Sequence, residues 1–298
     1  VGSEMCIRDR HEGGVLGAEF SPDGSRIATC SADGTARVWE VSTGRLMTTL
    51  RGHDNWVWSV SFSPDGALLV TASHDGTIRL WEAHSGAQQR VIDWYLHGRL
   101  RGVYEATFSP DGRTIAAGGT GYAARLIDVA TGRETKRMEG HMATIFWIRF
   151  SRDGTRLLTA SQDRMAKLWE VETAREIATF EGHTYHIWSA EFSPDESMIV
   201  TASYDGTVRV WEVATGRELV SITGHSDSTG QTPDHAVTAT FSPDGSRVLT
   251  TGSHDFARVC TIQYETRTPK EVARLLRERC PYRLVDGRLV KVMYTRLE

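Results

Sequence analysis

One element returns six times along the 298 residues, and it restricts the chain to a small set of folds. Phe20, Phe62, Phe108, Phe150, Phe192 and Phe241 each open the same unit, five continuing as Ser-Pro-Asp and Phe150 as Ser-Arg-Asp-Gly. The spacings are 42, 46, 42, 42 and 49 residues. Nineteen residues after each Phe stands Trp39, Trp81, Ile127, Trp169, Trp211 or Cys260. Nine residues before it stands His11, His53, His141 or His183, and Gly52-His53, Gly140-His141, Gly182-His183 and Gly224-His225 mark the joins. A fixed period of this length is the signature of a repeat architecture.

Each period reads as four short strands. In the second unit these are VWSVSF, ALLVTAS, TIRLWE and the weaker GAQQRVI, separated by SPDG and SHDG. Asp and Gly supply the turn geometry there. A lone four-stranded sheet leaves two apolar faces uncovered, and stacking copies side by side covers both. The 28 glycines and nine tryptophans fit this scheme, as turn residues and as blade anchors. The expected fold class is all-β.

The series GH…FSPDG…SxDGTxxxWE, spread over residues 11–260, resembles the WD40 repeat family of β-propellers. The resemblance implies a propeller of six visible blades, each a four-stranded antiparallel sheet. It also implies a polar network in each blade. That network joins the His at the join, a Ser or Thr on the second strand, the turn Asp and the third-strand Trp. The matching positions are His11, Ser31, Asp33 and Trp39, then His53, Ser73, Asp75 and Trp81. The next sets are His141, Ser161, Asp163 and Trp169, and His183, Ser203, Asp205 and Trp211. The physical basis is that a buried indole N–H needs an acceptor and a buried imidazole needs both nitrogens satisfied. Ser, His and Asp together also suggest a hydrolase, but a catalytic triad occurs once per site and not in every repeat. These residues are read as holding the blades rigid.

Two units depart from the pattern. In the third, the network positions are Arg99, Gly119, Gly121 and Ile127, and the preceding linker is four residues longer. It is expected to be a divergent blade and the least rigid one. Its glycines do not read as a phosphate loop, because no Lys-Ser/Thr pair follows. The sixth unit carries seven extra residues between His225 and Phe241, places Cys260 where Trp is usual, and is expected to bulge at Thr250–Gly252. No fourth strand is evident after Cys260. The resemblance implies closure by the first strand of the chain, for which residues 5–8, MCIR, are the local candidate. Residues 1–10 are taken as an artefactual or truncated head and 11–264 as the propeller. Residues 265–298 are taken as an extension packed on it, with a helix over Pro269–Cys280 and a hairpin around Asp286-Gly287.

Charge and cysteines narrow the function. The net charge of -4, from 34 Lys+Arg and 38 Asp+Glu, removes the bulk electrostatic case for nucleic acid or an anionic membrane. No apolar run of 18 residues is present to span a membrane. Cys6, Cys30, Cys260 and Cys280 have no CxxC spacing, so neither a disulfide framework nor a zinc site is expected. A reducing, cytoplasmic setting and no cofactor follow. No P-loop, kinase or protease signature occurs.

Three series vary while the framework repeats. Asn55, Trp56, Met142, Tyr185 and His186 follow the join His, and His74, Gln162, Tyr204 and His254 precede the turn Asp. Together they are the expected partner-binding set. Leu16, Trp58, Tyr104, Phe146, Trp188 and Thr238 form a second series, read as packing between blades or, more sharply, as an aromatic collar at the channel mouth. Arg37, Arg79, Arg125, Lys167, Arg209 and Arg258 form a third, read as solvated strand residues paired with neighbouring acids. The expected function is a non-enzymatic scaffold or sensor that binds protein or peptide through one face. The resemblance places it within a larger bacterial signalling protein. The alternatives are a small-ligand or enzymatic propeller, with His74, His186 and His254 converging at the channel, and a structural assembly module.

Overall fold

The computed structural model describes residues 10–96, 99–100, 102–223, 236–252, 257–262, 282–285 and 288–291. The chain divides into two compact units, Val1–Ile262 and Gln263–Glu298. Among its described residues the first unit holds six blade sheets in chain order, each an antiparallel up-and-down ladder, and a two-stranded pair, Tyr95–Leu96 with Arg99–Leu100, in the linker before the third. Five of the blade sheets have four strands. They begin with the inner strands Val15–Phe20, Val57–Phe62, Val103–Phe108, Ile145–Phe150 and Ile187–Phe192. The sixth is Ala236–Phe241, Arg247–Gly252 and Ala257–Thr261, three strands among the described residues. Residues 5–8 lie outside the described residues.

The cores lie between blades and not within them. One cluster joins Val38 and Leu50 of the first blade to Phe62, Leu69 and Trp81 of the second. The next joins Val70 and Ile78 to Phe108 and Ile115, and three more repeat this step to the sixth blade. Each blade therefore presents a front face, carrying Phe and Trp, to the blade before it, and an aliphatic back face to the blade after it. Burial of this apolar area at about 25 cal/mol per Å² supplies the main driving force.

The turn after each inner strand explains the repeated SPD. Ser63 Oγ donates to Asp65 Oδ1 at 2.6 Å and accepts the Leu68 amide at 2.8 Å. Gly66 closes the turn at φ 69°, a region an L side chain enters only with strain.

Every inner strand also carries a bulge of one residue. Val57 faces Ser73 and Ser59 faces Ala72, which leaves Trp58 without a partner. The same offset leaves out Leu16, Tyr104, Phe146, Trp188 and Val237. A bulge re-aims the side chain it releases. The sixth member of the second series is thus Val237 and not Thr238. In every blade the released residue stands four before the repeated Phe, which gives Val237 in the sixth.

The sixth blade pairs in the ordinary register, Val248 with Cys260 and Thr250 with Arg258. No bulge forms at Thr250 or Thr251, which pair with Arg258 and Ala257, because the Phe-to-Cys spacing already equals the Phe-to-Trp spacing elsewhere; the residues that follow Gly252 to the third strand lie outside the described ones. Among the described residues no helix occurs, and the one expected over 269–280 lies outside them. In the second unit, Tyr282–Val285 pairs antiparallel with Arg288–Lys291, the hairpin expected around Asp286-Gly287.

Candidate functional site

Four blades contain the same polar relay. In the fifth, Trp211 Nε1 donates to Thr201 Oγ1 at 2.9 Å, and Thr201 Oγ1 lies 2.8 Å from His183 Nε2. His183 Nδ1 lies 2.9 Å from Asp205 Oδ2. A carboxylate only accepts, so Nδ1 carries the proton and Nε2 accepts from the threonine hydroxyl. The second and fourth blades repeat this through Thr71 and Thr159, and the first through Thr29. Burial alone would raise the Asp205 carboxyl, but the bonds from His183 and Thr207 outweigh it and hold it well below the usual carboxylate range. Asp33, Asp75 and Asp163 are lowered in the same way.

The hydroxyl expected at Ser31, Ser73, Ser161 and Ser203 is therefore supplied two residues earlier, by threonine. Residues two apart share a face of a strand, so Thr and Ser both lie on the Trp face, and the Thr is the one two residues nearer the Trp along the strand. The serines instead shape the turn. Ser203 Oγ donates to Tyr185 O and accepts the Asp205 amide, both at 3.1 Å. The threonine of each TAS or TCS triplet was the available signal.

The third blade replaces the relay with packing. Ala117 occupies the threonine position and Gly121 the turn Asp position. Trp94 from the longer linker is buried there, in the cluster with Ile127, and its ring stacks under Arg125 at 4.0 Å.

The bulge residues form a continuous aromatic arc. Trp58 meets Tyr104 at 5.1 Å, Tyr104 meets Phe146 at 5.2 Å, and Phe146 stacks on Trp188 at 4.4 Å. Several of the expected partner-binding residues extend it. Trp56 abuts Trp58 at 5.6 Å and His74 abuts Tyr104 at 6.0 Å. At the far end Tyr185, His186 and Tyr204 cluster, with Tyr185 stacked on Tyr204 at 5.5 Å. Trp188 reaches Tyr204 at 6.5 Å. Trp56 is 48% exposed and Tyr185 is also exposed. Met142 and Gln162 are exposed in the loops of the fourth blade, and Asn55 caps the Trp56 amide at 2.8 Å. His254 lies outside the described residues. His186 Nδ1 faces Gln162 O at 3.1 Å.

Four segments match the family model described as WD domain, G-beta repeat: residues 3–40, 44–82, 132–170 and 174–212. They cover more than half of the chain and include the four blades that hold the relay. The chain belongs to the WD40 repeat family.

Similar WD40 proteins come from distant sources. An uncharacterized WD repeat-containing protein of Nostoc is 46% identical over 50 residues, 17% of this chain and 4% of that protein. Human WD repeat-containing protein 86 is 41% identical over 54 residues, 18% of this chain and 14% of its own length. WD40 proteins generally act as protein-interaction scaffolds and not as enzymes. Among the described residues of this WD40 chain, no helix is long and apolar enough to cross a membrane.

A charged group in this WD40 domain escaped the sequence reading. Arg149 bonds Glu105 at 2.9 Å and Glu191 at 3.0 Å, joining three successive inner strands. Glu19 accepts the Phe62 amide at 2.9 Å and the Ser61 hydroxyl at 3.1 Å. Burial pushes Glu105 up to about 7, against the pull of Arg149. Glu19, Ser61, Thr107, Arg149 and Glu191 each precede the repeated Phe, and that offset was the legible signal.

The third-strand cations are not all solvated. Arg37, Arg125 and Lys167 are buried against the outer strand. The expected pairing with acids holds for Arg37, Arg125, Lys167 and Arg209, which meet Asp33, Glu134, Glu176 and Glu218. Arg79 pairs with Gln88.

Proposed function

We propose that this WD40 chain is a scaffold that captures a protein partner, as a peptide segment, on the arc from Trp56 to Tyr204. The observation that carries this reading is the unbroken series of ring contacts across four blades, ending in exposed Trp56 and Tyr185. Trp and Tyr are the residues most enriched at energetic centres of interfaces. The rings are held by bulges in separate strands, so the surface is preorganised and little entropy is lost on binding. His74 and His186 serve the arc as ring neighbours in this reading. We place the domain within a larger bacterial signalling protein. The Nostoc relative, in which the matched stretch is 4% of the length, supports a modular setting.

The test is a displayed library of random peptides selected on the wild-type chain. Selected peptides are then titrated against a Trp56→Ala, Tyr185→Ala, Tyr204→Ala variant. The reading expects an affinity loss of about tenfold or more, since a truncated hot-spot residue costs ~2 kcal/mol or more, with the melting temperature kept. Equal binding by the variant, or no peptide selected, sinks it.

A further inference from the structure

In the Phe-Ser-Pro-Asp-Gly motif, Arg152 of the fourth blade stands where Pro22, Pro64, Pro110, Pro194 and Pro243 stand elsewhere. Glu196 of the fifth blade stands where Gly24, Gly66, Gly112, Gly154 and Gly245 stand elsewhere. The two departures meet. Glu196 Oε1 accepts the Arg152 amide, a donor that proline lacks. Glu196 Oε2 accepts from the Arg156 guanidinium at 2.6 Å. To do so Glu196 keeps φ 57°, a left-handed conformation that glycine adopts without strain and an L side chain does not. Strain held in this way gathers at functional sites.

The bond fixes the Arg152 backbone and leaves its side chain exposed. Among the described residues the Arg152 guanidinium has no hydrogen bond or ion pair. Arg152 lines a cavity of about 500 Å³ together with Phe150, Phe192, Pro194, Phe241 and Pro243. Glu191 and Glu196 also line it, but each is already held by an arginine, Arg149 at 3.0 Å and Arg156 at 2.6 Å. The charge left without a partner is the positive one on Arg152. The three Phe rings pack in junctions between the third and fourth, fourth and fifth, and fifth and sixth blades, so the cavity does not arise at an end of the series. The motif Phe lies four residues beyond the bulge residue, at the other end of each inner strand, which separates this cavity from the aromatic arc.

We propose that the cavity is a second docking site, for a peptide segment of a partner protein in which an acidic side chain stands beside an apolar one. The apolar side chain packs against Phe150, Phe192 and Pro194. The carboxylate pairs with Arg152, whose planar fork of donors matches it. Glu191 and Glu196 repel an acid placed elsewhere in the cavity, which fixes the register of the segment.

A displayed library of random peptides, depleted on an Arg152→Gln variant and then selected on the wild-type chain, tests this. Glutamine keeps the amide that Glu196 accepts and removes only the charge, and melting confirms that the variant folds. Enriched peptides are expected to carry Asp or Glu next to an apolar residue. Their affinity is expected to fall about tenfold or more on Arg152→Gln, as for loss of a hydrogen bond to a charged group. It is expected to fall as far when the peptide acid is replaced by its amide, and to stay unchanged on the Trp56→Ala, Tyr185→Ala, Tyr204→Ala variant. No enriched peptide, peptides without an acid, or equal binding by Arg152→Gln overturns the proposal. Peptides that lose affinity on the triple variant belong to the arc and overturn it too, while leaving the reading of the arc intact.

Discussion

The indole nitrogen of Trp211 lies 2.9 Å from Thr201 Oγ1, and that hydroxyl bridges it by hydrogen bonds to the His-Asp pair of its blade. Thr201→Ala leaves a buried indole N–H and a buried imidazole nitrogen without partners. The expected cost is about 1–3 kcal/mol. Thr201→Ser restores most of it. Ser203→Ala removes only turn bonds and is expected to cost about 1 kcal/mol. Urea unfolding of the three variants orders them, and a Ser203 variant weaker than the Thr201→Ala variant contradicts the assignment.

The third blade depends on Trp94 where four other blades depend on the relay. Trp94 is fully buried and stacked under Arg125. Trp94→Ala opens a cavity and is expected to destabilise by about 3–5 kcal/mol. Differential scanning calorimetry checks it. A change below about 1 kcal/mol, the scale of an ordinary surface substitution, shows that the Trp does not replace the relay.

Stability is expected to fall on both sides of mildly acidic pH. The relay aspartates are held below their ordinary value, so their contribution is present above it and is lost as pH falls through the folded value. Glu105 is raised from 4.5 to about 7, so the folded state binds the proton more tightly and stability declines as pH rises through that window. Glu105→Gln is expected to flatten the decline between those values and leave the acid limb unchanged. Chemical unfolding at a series of pH values reads both limbs.

Arg164 takes φ 76° at a turn where Gly34, Gly76 and Gly206 stand in other blades. Its side chain is exposed. Left-handed backbone costs an L residue roughly 1–2 kcal/mol, part of which the added freedom of an unfolded glycine offsets. Arg164→Gly is expected to raise stability by about 0.5–1 kcal/mol, measured by the urea midpoint. A lowered midpoint refutes the strain.

The repeat made the blades legible, because Phe, Trp and the turn residues recur at fixed spacing and each has one structural duty. The relay was legible except for its hydroxyl. Thr and Ser two residues apart keep the same spacing from Trp in each of these blades and share one face of the strand, so only position along it separates them: Thr71 lies nearer Trp81, and Ser73 lies at the turn. The bulge was not legible: it is a property of pairing between strands, and Trp58 looks like an ordinary strand residue until Val57 and Ser59 are seen facing consecutive partners. The Glu105–Arg149–Glu191 group was hidden for a related reason, since its members lie more than forty residues apart and meet only through the stacking of blades.

The bulge has a consequence for how such a chain can change. A side chain released from the ladder holds no register and fills no core, so replacing Trp58, Tyr104 or Phe146 alters the arc and leaves the blades standing. Descendants of this sequence can therefore acquire a new specificity by single codon changes, one per blade, while the scaffold beneath them is inherited intact.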